Sequence, residues 1–93
     1  MGQQAPKLTC RQARAIDLIG FLGGMGITPV KVRGDNFWYL SPLRNERHAS
    51  FKISKRLNRW YDFGLGKGGN ILDFGLLYFA CSIPELLDLL GQN

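Results

Sequence analysis

The sequence predicts an α+β domain in which a small antiparallel sheet is flanked by about three helices. The sheet is predicted because short runs of alternating apolar and polar residues fill the middle of the chain. The helices are predicted because apolar residues recur at helical spacing near both ends, behind residues that suit helix caps. A chain of 93 residues fits one small domain, so we expect residues 1–93 to fold as a single unit.

One helix is predicted near the amino terminus. Thr9 stands where an N-cap residue is expected, and Gln12 completes a capping box three residues later. Apolar residues then recur at helical spacing as far as Leu22, where Gly23 and Gly24 provide a stop signal. We therefore expect one continuous helix from the Thr9 cap to Leu22.

Three or four β-strands are predicted in the middle of the chain, connected by turns at GDN and KRLN. Side-chain alternation places Phe37 and Tyr39 on one face of the second strand and Trp38 on the other. Phe51 and Ile53 share a face of the next strand. The predicted strands lie in the segments PVKVR, FWYL, SFKIS and RWYDF.

Two further helices are predicted at the carboxyl-terminal end. Asn70 is a suitable cap for the segment ILDFGLLYFA, and Asp73 in its first turn suits the positive end of a helix dipole. Ser82 and Glu85 form a second capping box, and Gly91 ends the last helix.

A glycine-rich loop joins the last predicted strand to the first of these two helices. Gly64, Gly66 and Gly69 match G-x-G-x-x-G, but no second parallel strand ending in an acid follows, so we expect no dinucleotide site. Lys67 is followed by glycine rather than Ser or Thr, so the phosphate-loop pattern also fails. Two interpretations remain: the loop and the helix start hold a phosphate of a nucleic acid, or the glycines only permit a tight turn and close packing.

Positive charge is concentrated in the middle of the chain. The whole chain has a net charge of +5, whereas residues 31–67 contain nine basic and three acidic residues, a net charge of +6. This excess favours a polyanionic partner, and a merely solvated surface is the alternative. Because no apolar run approaches the length of a membrane span and no signal core is present, we expect a cytoplasmic protein without a membrane partner.

Two long motifs resemble the N-terminal zinc-binding domain of bacterial replicative primases of the DnaG type. They are NFWYLSPLRNERHASFKI and RWYDFGLGKGGNILDF. The family frame is N-F-x-x-x-C-P-F-H-N-E-K-x-P-S-F followed by F-Y-x-C-F-G-C-G-x-x-G-N-x-x-D-F. The segment AIDLIGFLG is similar to the family's leading helix. The resemblance spans most of residues 13–90 and implies a zinc-ribbon-like architecture.

The family's four zinc ligands fall on residues that are neither Cys nor His, namely Ser41, Arg44, Asp62 and Leu65. One carboxylate cannot form a tetrahedral zinc site, so we expect a degenerate zinc ribbon with no zinc and no other cofactor. Arg44 and Asp62 have opposite charges, and we predict that they form an ion pair between the two loops that the metal joins in the family. We expect this pair at the surface, where it contributes little stability, so that apolar packing supplies the larger share.

The resemblance implies that the domain contacts single-stranded template DNA. Single-strand binders combine a basic groove with exposed aromatic rings, and we expect Trp38 or Trp60 first among the exposed aromatics. The candidate DNA-binding residues are Trp38, Arg47, Lys52, Lys55, Arg56, Arg59, Trp60 and Lys67.

We expect no catalytic residue, because primer synthesis needs clustered carboxylates that hold metal ions, and the seven acidic residues are scattered. The chain is then a non-catalytic accessory domain and a fragment of a longer primase-like replication protein, as in divergent primases of mobile elements. The implied partners are single-stranded DNA and a primase catalytic domain, helicase or relaxase. The alternative is a protein-interaction module that has lost DNA binding.

Overall fold

The structure, a computed structural model, describes residues 8–91. The described residues form four helices and five strands, so the predicted α+β class is confirmed. In chain order these are α1 (Cys10–Arg14), α2 (Leu18–Gly24), β1 (Lys31–Arg33), β2 (Asn36–Tyr39), β3 (Phe51–Ser54), β4 (Arg59–Asp62), β5 (Lys67–Gly69), α3 (Ile71–Phe79) and α4 (Ile83–Leu90). Within residues 8–91, no helix has the length and apolar character needed to cross a membrane.

The five strands form one antiparallel sheet in which each strand pairs with the next along the chain. The four predicted strand segments correspond to β1–β4, and the fifth strand, β5, was not predicted. Two of its three residues, Gly68 and Gly69, have no side chain to alternate. Its identity as a strand comes from pairing with β4, where Tyr61 lies opposite Gly68.

One face of the sheet packs against the helices and forms the core. The ring of Phe51 stacks on Trp60 at a centroid distance of 5.5 Å and meets the edge of Phe74 at 5.9 Å. The predicted alternation is confirmed in β3, where Phe51 and Ile53 are both buried. The largest fully buried residues are Tyr39, Phe51, Phe74, Leu18, Leu22, Ile53, Ile71, Leu86 and Asp62.

Trp60 belongs to this core, so the expectation that it is an exposed aromatic is wrong. Only 3% of its surface is exposed. It lies opposite Ile53 in the sheet register, on the side that faces α3. Its indole Nε1 donates a 2.8 Å hydrogen bond to the carbonyl of Asn70, which satisfies its one polar atom.

The predicted amino-terminal helix is two helices rather than one. The capping box is confirmed, since the Thr9 hydroxyl accepts a hydrogen bond from the Gln12 amide at 3.1 Å. However, α1 ends at Arg14, and Asp17 caps α2 by accepting from the amide of Gly20 at 2.9 Å.

Asn58, in the turn between β3 and β4, holds the break between these two helices. Its side-chain amide donates to the carbonyl of Ile16 at 2.8 Å, and its side-chain oxygen accepts from the amide of Leu18 at 2.9 Å. Its φ of 53° lies in the left-handed region, which Asn tolerates better than most residues. A contact between residues far apart in the sequence therefore overrides the helical periodicity.

The predicted starts of the last two helices are confirmed. Asn70 caps α3, and the carboxylate of Asp73 reaches back to the Asn70 amide at 2.9 Å. Ser82 and Glu85 form the capping box of α4, and Gly91 is its C-cap. The Asn70 cap fixes the point at which the chain leaves β5 and enters α3, which packs over the core.

Candidate nucleic-acid interface and metal-ligand positions

The sheet face directed away from the core carries aromatic and basic side chains side by side. The register aligns Lys31, Trp38, Lys52 and Tyr61 across four neighbouring strands. Strand alternation adds further residues two positions away on the same face. We call this surface the open face, and its basic and aromatic members are Lys31, Arg33, Trp38, Lys52, Arg59, Tyr61 and Phe63.

Three aromatic rings form a cluster on the open face. Trp38 stacks on Phe63 with ring centroids 5.8 Å apart and planes inclined by 21°, and Tyr61 meets the Phe63 ring edge-on at 4.8 Å. Phe63 is 55% exposed and Tyr61 is 39% exposed. Large aromatic surfaces left in water at one place are typical of a binding site rather than of a scattered exposed residue.

Two lysine ammonium groups flank the aromatic cluster. Lys31 and Lys52 lie 5.7 and 5.8 Å from the centroid of the Trp38 ring, and Lys52 also lies 5.9 Å from that of Phe63. These distances fall within the range of cation–π attraction. The cluster therefore offers ring faces with positive charge beside them, which suits a ligand that combines flat aromatic groups with negative charge.

The eight predicted DNA-binding residues do not all lie together. Trp38, Lys52 and Arg59 belong to the open face, whereas Trp60 lies in the core. The others are exposed: Lys55 and Arg56 lie in the β3–β4 turn, and Arg47 lies in the β2–β3 loop.

Lys67 lies on the other side of the sheet from the open face. It pairs with Asp62, whose side chain is directed to the core side, so alternation places Lys67 on the helix side of the edge strand. There it lines a shallow cleft together with Asp73 and Leu77.

Four residues of the open face are not among the candidate DNA-binding residues that the sequence suggests, namely Lys31, Arg33, Tyr61 and Phe63. The place of Lys31 on this face could have been predicted from the short turn after β1, because that turn sets Lys31 opposite Trp38 in the register. Phe63 follows the end of β4, where strand alternation alone does not fix its contact with Trp38.

The contacts of the glycine-rich loop support the close-packing interpretation. At the start of α3, the Asn70 side chain accepts from the amides of Leu72 and Asp73, at 2.9 and 3.3 Å. These donors are therefore engaged within the chain, and the Asp73 carboxylate adds negative charge where a phosphate would bind. A Cβ at Gly69 would collide with that carboxylate, and one at Gly68 would lie 2.5 Å from the Trp60 carbonyl oxygen.

The four positions that correspond to the family's zinc ligands meet around the carboxylate of Asp62, which is completely buried. Its Oδ2 accepts from the Ser41 hydroxyl at 2.5 Å and from Arg44 Nε at 3.3 Å. Its Oδ1 accepts from Arg44 Nη2 at 2.7 Å and from the amides of Gly64 and Leu65 at 2.9 and 3.0 Å. We call these five residues the Asp62 cluster.

The predicted ion pair between Arg44 and Asp62 is confirmed, but its expected location at the surface is wrong. The Asp62 side chain has no exposed surface, and that of Arg44 is only 22% exposed. The β2–β3 and β4–β5 loops fold over the pair, so the charges interact with little screening by solvent. Removal of Arg44 leaves a buried carboxylate without its cation, and removal of Asp62 leaves the donors of Ser41, Gly64 and Leu65 without their acceptor. Either change is more costly than the loss of an exposed pair.

The guanidinium of Arg44 is held on several sides. Besides Asp62, its Nη1 contacts Glu46 at 2.6 Å and its Nη2 donates to the Ser50 hydroxyl at 2.8 Å. A Cβ at residue 64 would collide with the guanidinium, so Gly64 is the residue that lets Arg44 lie against the loop backbone.

The hydrogen bonds of the cluster stabilise the charged form of Asp62. Burial alone would raise the pKa of Asp62, but the hydrogen bonds from Arg44, Ser41 and the Leu65 amide outweigh it and hold the pKa below its ordinary value. The hydrogen bond to Asp62 raises the pKa of Arg44, and the hydrogen bond from Arg44 lowers the pKa of Glu46. At neutral pH the cluster is therefore fully charged.

The donor set does not fit a zinc ion. An ionised carboxylate has about four lone-pair positions, and five donors already occupy that of Asp62. Arg44 supplies positive charge and no electron pair, and the side chain of Leu65 has no donor atom. Over residues 8–91, no group of three or more His, Cys, Asp or Glu residues could hold a metal.

Comparison with known proteins gives the family. The CHC2 zinc finger matches residues 12–90. The DNA primase of Listeria monocytogenes is 32% identical over 82 residues, covering 84% of this chain and 12% of that primase. The DNA primase of Treponema pallidum is 34% identical over 62 residues, covering 67% of this chain and 10% of that primase.

A solved structure gives the same fold. The crystal structure of the Aquifex aeolicus primase, with its zinc-binding and RNA polymerase domains, matches with a TM-score of 0.69 and 29% identity. The match covers 86% of this chain and 19% of that one, so the chain corresponds to a small part of such a primase. Together with the order and spacing of the two motifs, these matches confirm the resemblance: the chain belongs to the CHC2 zinc-finger family of DnaG-type primases.

Proposed function

We propose that this chain is the template-contacting domain of a primase-like replication protein, and that it binds single-stranded DNA on the open face of its sheet. The observation that carries the proposal is the stacked pair of Trp38 and Phe63 with Lys31 and Lys52 beside it. The family supplies the context, because relatives of this chain are DNA primases.

The chemistry of the open face suits a single strand better than a duplex. Unpaired bases can stack on aromatic side chains, and each such contact contributes about 1–3 kcal/mol to binding. In a duplex the bases stack on each other and do not present their faces. Lys52 and Arg59 beside the rings, with Lys55 and Arg56 in the adjoining turn, provide positive charge for the phosphates.

The Asp62 cluster positions one of the stacking rings. Phe63 directly follows Asp62, and its amide donates a 2.8 Å hydrogen bond to the carbonyl of Ser50. The amide of Gly64 donates to the Asp62 carboxylate, so the cluster and the Ser50 contact together hold the backbone on both sides of Phe63 and support the position of its ring against Trp38.

The domain would then bind the template strand without catalysing primer synthesis itself. Primer synthesis would belong to a separate catalytic domain, with a helicase or relaxase as a further partner. The replaced zinc ligands fit a divergent primase of a mobile element acting in the cytoplasm.

The test is fluorescence anisotropy of a labelled single-stranded oligonucleotide at several salt concentrations, with duplex DNA as the comparison. We expect single-strand binding that weakens steeply with salt, because each neutralised phosphate releases counterions. Lys52→Gln should reduce the slope of log affinity against log salt by about 0.7, the value for one phosphate contact on a single strand. Trp38→Leu should weaken binding at every salt concentration without changing that slope.

Arg11→Gln provides the matched control, since Arg11 is exposed on α1, an element that packs with α3 and α4. It should leave affinity and slope unchanged. Absence of single-strand binding by the unsubstituted chain at low salt would overturn the proposal and favour the protein-interaction module.

A further inference from the structure

We infer that this domain folds without zinc, and that the buried Asp62 carboxylate, surrounded by its five donors, takes the structural place of the family's metal. The inference concerns stability and does not rest on the proposed DNA binding. It starts from the disagreement between the family, which is named for a zinc finger, and a donor set that does not fit zinc.

The cluster is the electrostatic inverse of a zinc centre. A structural zinc site has a cation at its centre, held by atoms that donate electron pairs. Here an anion lies at the centre, and N–H and O–H groups point towards it from Ser41, Arg44, Gly64 and Leu65. A metal ion could approach the Asp62 oxygens only by displacing these donors, and it would meet the positive guanidinium of Arg44.

The cluster also makes the same connection as a metal would. Ser41, Arg44 and Ser50 come from the β2–β3 segment, whereas Asp62 and Gly64 come from the end of β4 and the loop after it. Side-chain hydrogen bonds from the first segment meet the carboxylate of the second. The two loops are thus joined at one point, which is the role of a structural metal in a zinc ribbon.

In the part of the chain that the structure describes, the remaining cysteine, histidine and carboxylate side chains do not form a second donor set. Cys10 lies in α1 and Cys81 lies between α3 and α4, both outside the two loops. Glu46 is the other carboxylate near the cluster, and it is engaged by Arg44 and by the amide of Arg47. His48 is exposed in the β2–β3 loop.

The first test measures the metal content and thermal unfolding of the full chain, produced in medium supplemented with zinc. Elemental mass spectrometry should find less than about 0.1 zinc per chain, and EDTA should shift the Tm by less than about 1 °C, because no folding free energy comes from a metal. About one zinc per chain, or unfolding by the chelator, would overturn the inference.

The second test restores the family's ligands at the four positions. The variant with Ser41→Cys, Arg44→His, Asp62→Cys and Leu65→Cys, produced with zinc present, should bind one metal per chain and unfold when EDTA removes it. Cobalt substitution should give the absorption of a tetrahedral thiolate site. A matched variant with only Ser41→Cys and Leu65→Cys keeps Arg44 and Asp62 and should give no such absorption. A restored variant that binds no cobalt would contradict the placement of the four positions around one centre.

Discussion

At the scale of single residues, Asp62 shows how a buried charge is made compatible with a small core. A carboxylate without partners is costly to bury, but here both oxygens are fully hydrogen-bonded and one partner carries the opposite charge. The sequence predicted the pairing with Arg44, because opposite charges occupy two ligand positions of the family. It did not predict the burial or the amides of Gly64 and Leu65, because backbone donors have no signal in the residue pattern.

Substitution of Asp62 should therefore unfold the domain far more readily than loss of a surface charge. We expect Asp62→Ala to destabilise by about 3–5 kcal/mol, the cost of removing one partner of a buried ion pair. Arg44→Met should also lower the free energy of unfolding strongly, because it leaves the Asp62 carboxylate buried without its cation. Urea unfolding measures both, and Arg11→Met on α1 is the exposed control, with an expected change within about 0.5 kcal/mol. Equal effects of Arg44→Met and Arg11→Met would contradict the role of the cluster.

The lowered pKa of Asp62 predicts a loss of stability in acid. A group whose pKa is lower in the folded state contributes stability that is fully present above its unfolded pKa, about 3.9 for Asp, and lost as the pH falls through the folded pKa. We therefore expect this contribution to be constant from about pH 5 upwards and to fall progressively at lower pH, as the pH drops towards the folded pKa. Urea midpoints between pH 7 and pH 3 measure it. Asp62→Asn should show a shallower decline over the acid range, and an identical decline would count against the assignment.

At the scale of elements, sequence patterns predicted the helices and strands whose ends have local causes. The caps at Thr9, Asn70 and Ser82 and the alternation in β3 are confirmed. The two errors, the single amino-terminal helix and the missing β5, arise from contacts with other parts of the sequence. The break between α1 and α2 depends on Asn58, and β5 depends on pairing with β4, so neither could be found from periodicity within the element itself.

The role of Asn58 can be separated into its hydrogen bonds and its backbone conformation. Asn58→Gly keeps easy access to the positive φ but loses the side-chain bonds to Ile16 and Leu18, so it should cost about 1–3 kcal/mol. Asn58→Ala loses the same bonds and adds left-handed strain, so it should cost about 1 kcal/mol more than the glycine variant. Denaturant unfolding compares the two. If both variants match the unsubstituted chain, the turn does not hold the helix break.

At the scale of the whole molecule, one face of the sheet forms the core, and the other is the face that we propose binds DNA. Trp60 and Phe51 pack under α3, whereas Trp38 and Phe63 stack on the open face. Composition and charge predicted a basic, aromatic-rich surface but could not assign each tryptophan to a side. That assignment needs the register of β4 against β3, which decides which ring meets the helices.

Replacement of tryptophan by leucine should mainly lower stability on the core face and mainly lower single-strand affinity on the open face. Trp60→Leu should destabilise by about 2 kcal/mol or more, because it leaves a cavity and removes the hydrogen bond to Asn70, while single-strand affinity measured well below the Tm stays unchanged. Trp38→Leu should reduce single-strand affinity with a smaller loss of stability. Unfolding and anisotropy measurements on both variants give the comparison. A loss of DNA affinity in Trp60→Leu that equals the loss in Trp38→Leu would contradict this division.

The composition of the Asp62 cluster has a consequence for oxidative damage. A zinc centre of the Cys-His-Cys-Cys type is held by thiolates, which peroxide converts to sulfenic acid or disulfide, with release of the metal. Carboxylate, guanidinium, hydroxyl and amide groups do not undergo this chemistry, and Cys10 and Cys81 lie outside the cluster. It follows that peroxide at levels that inactivate a thiolate-ligated relative leaves the loops beside Phe63 joined.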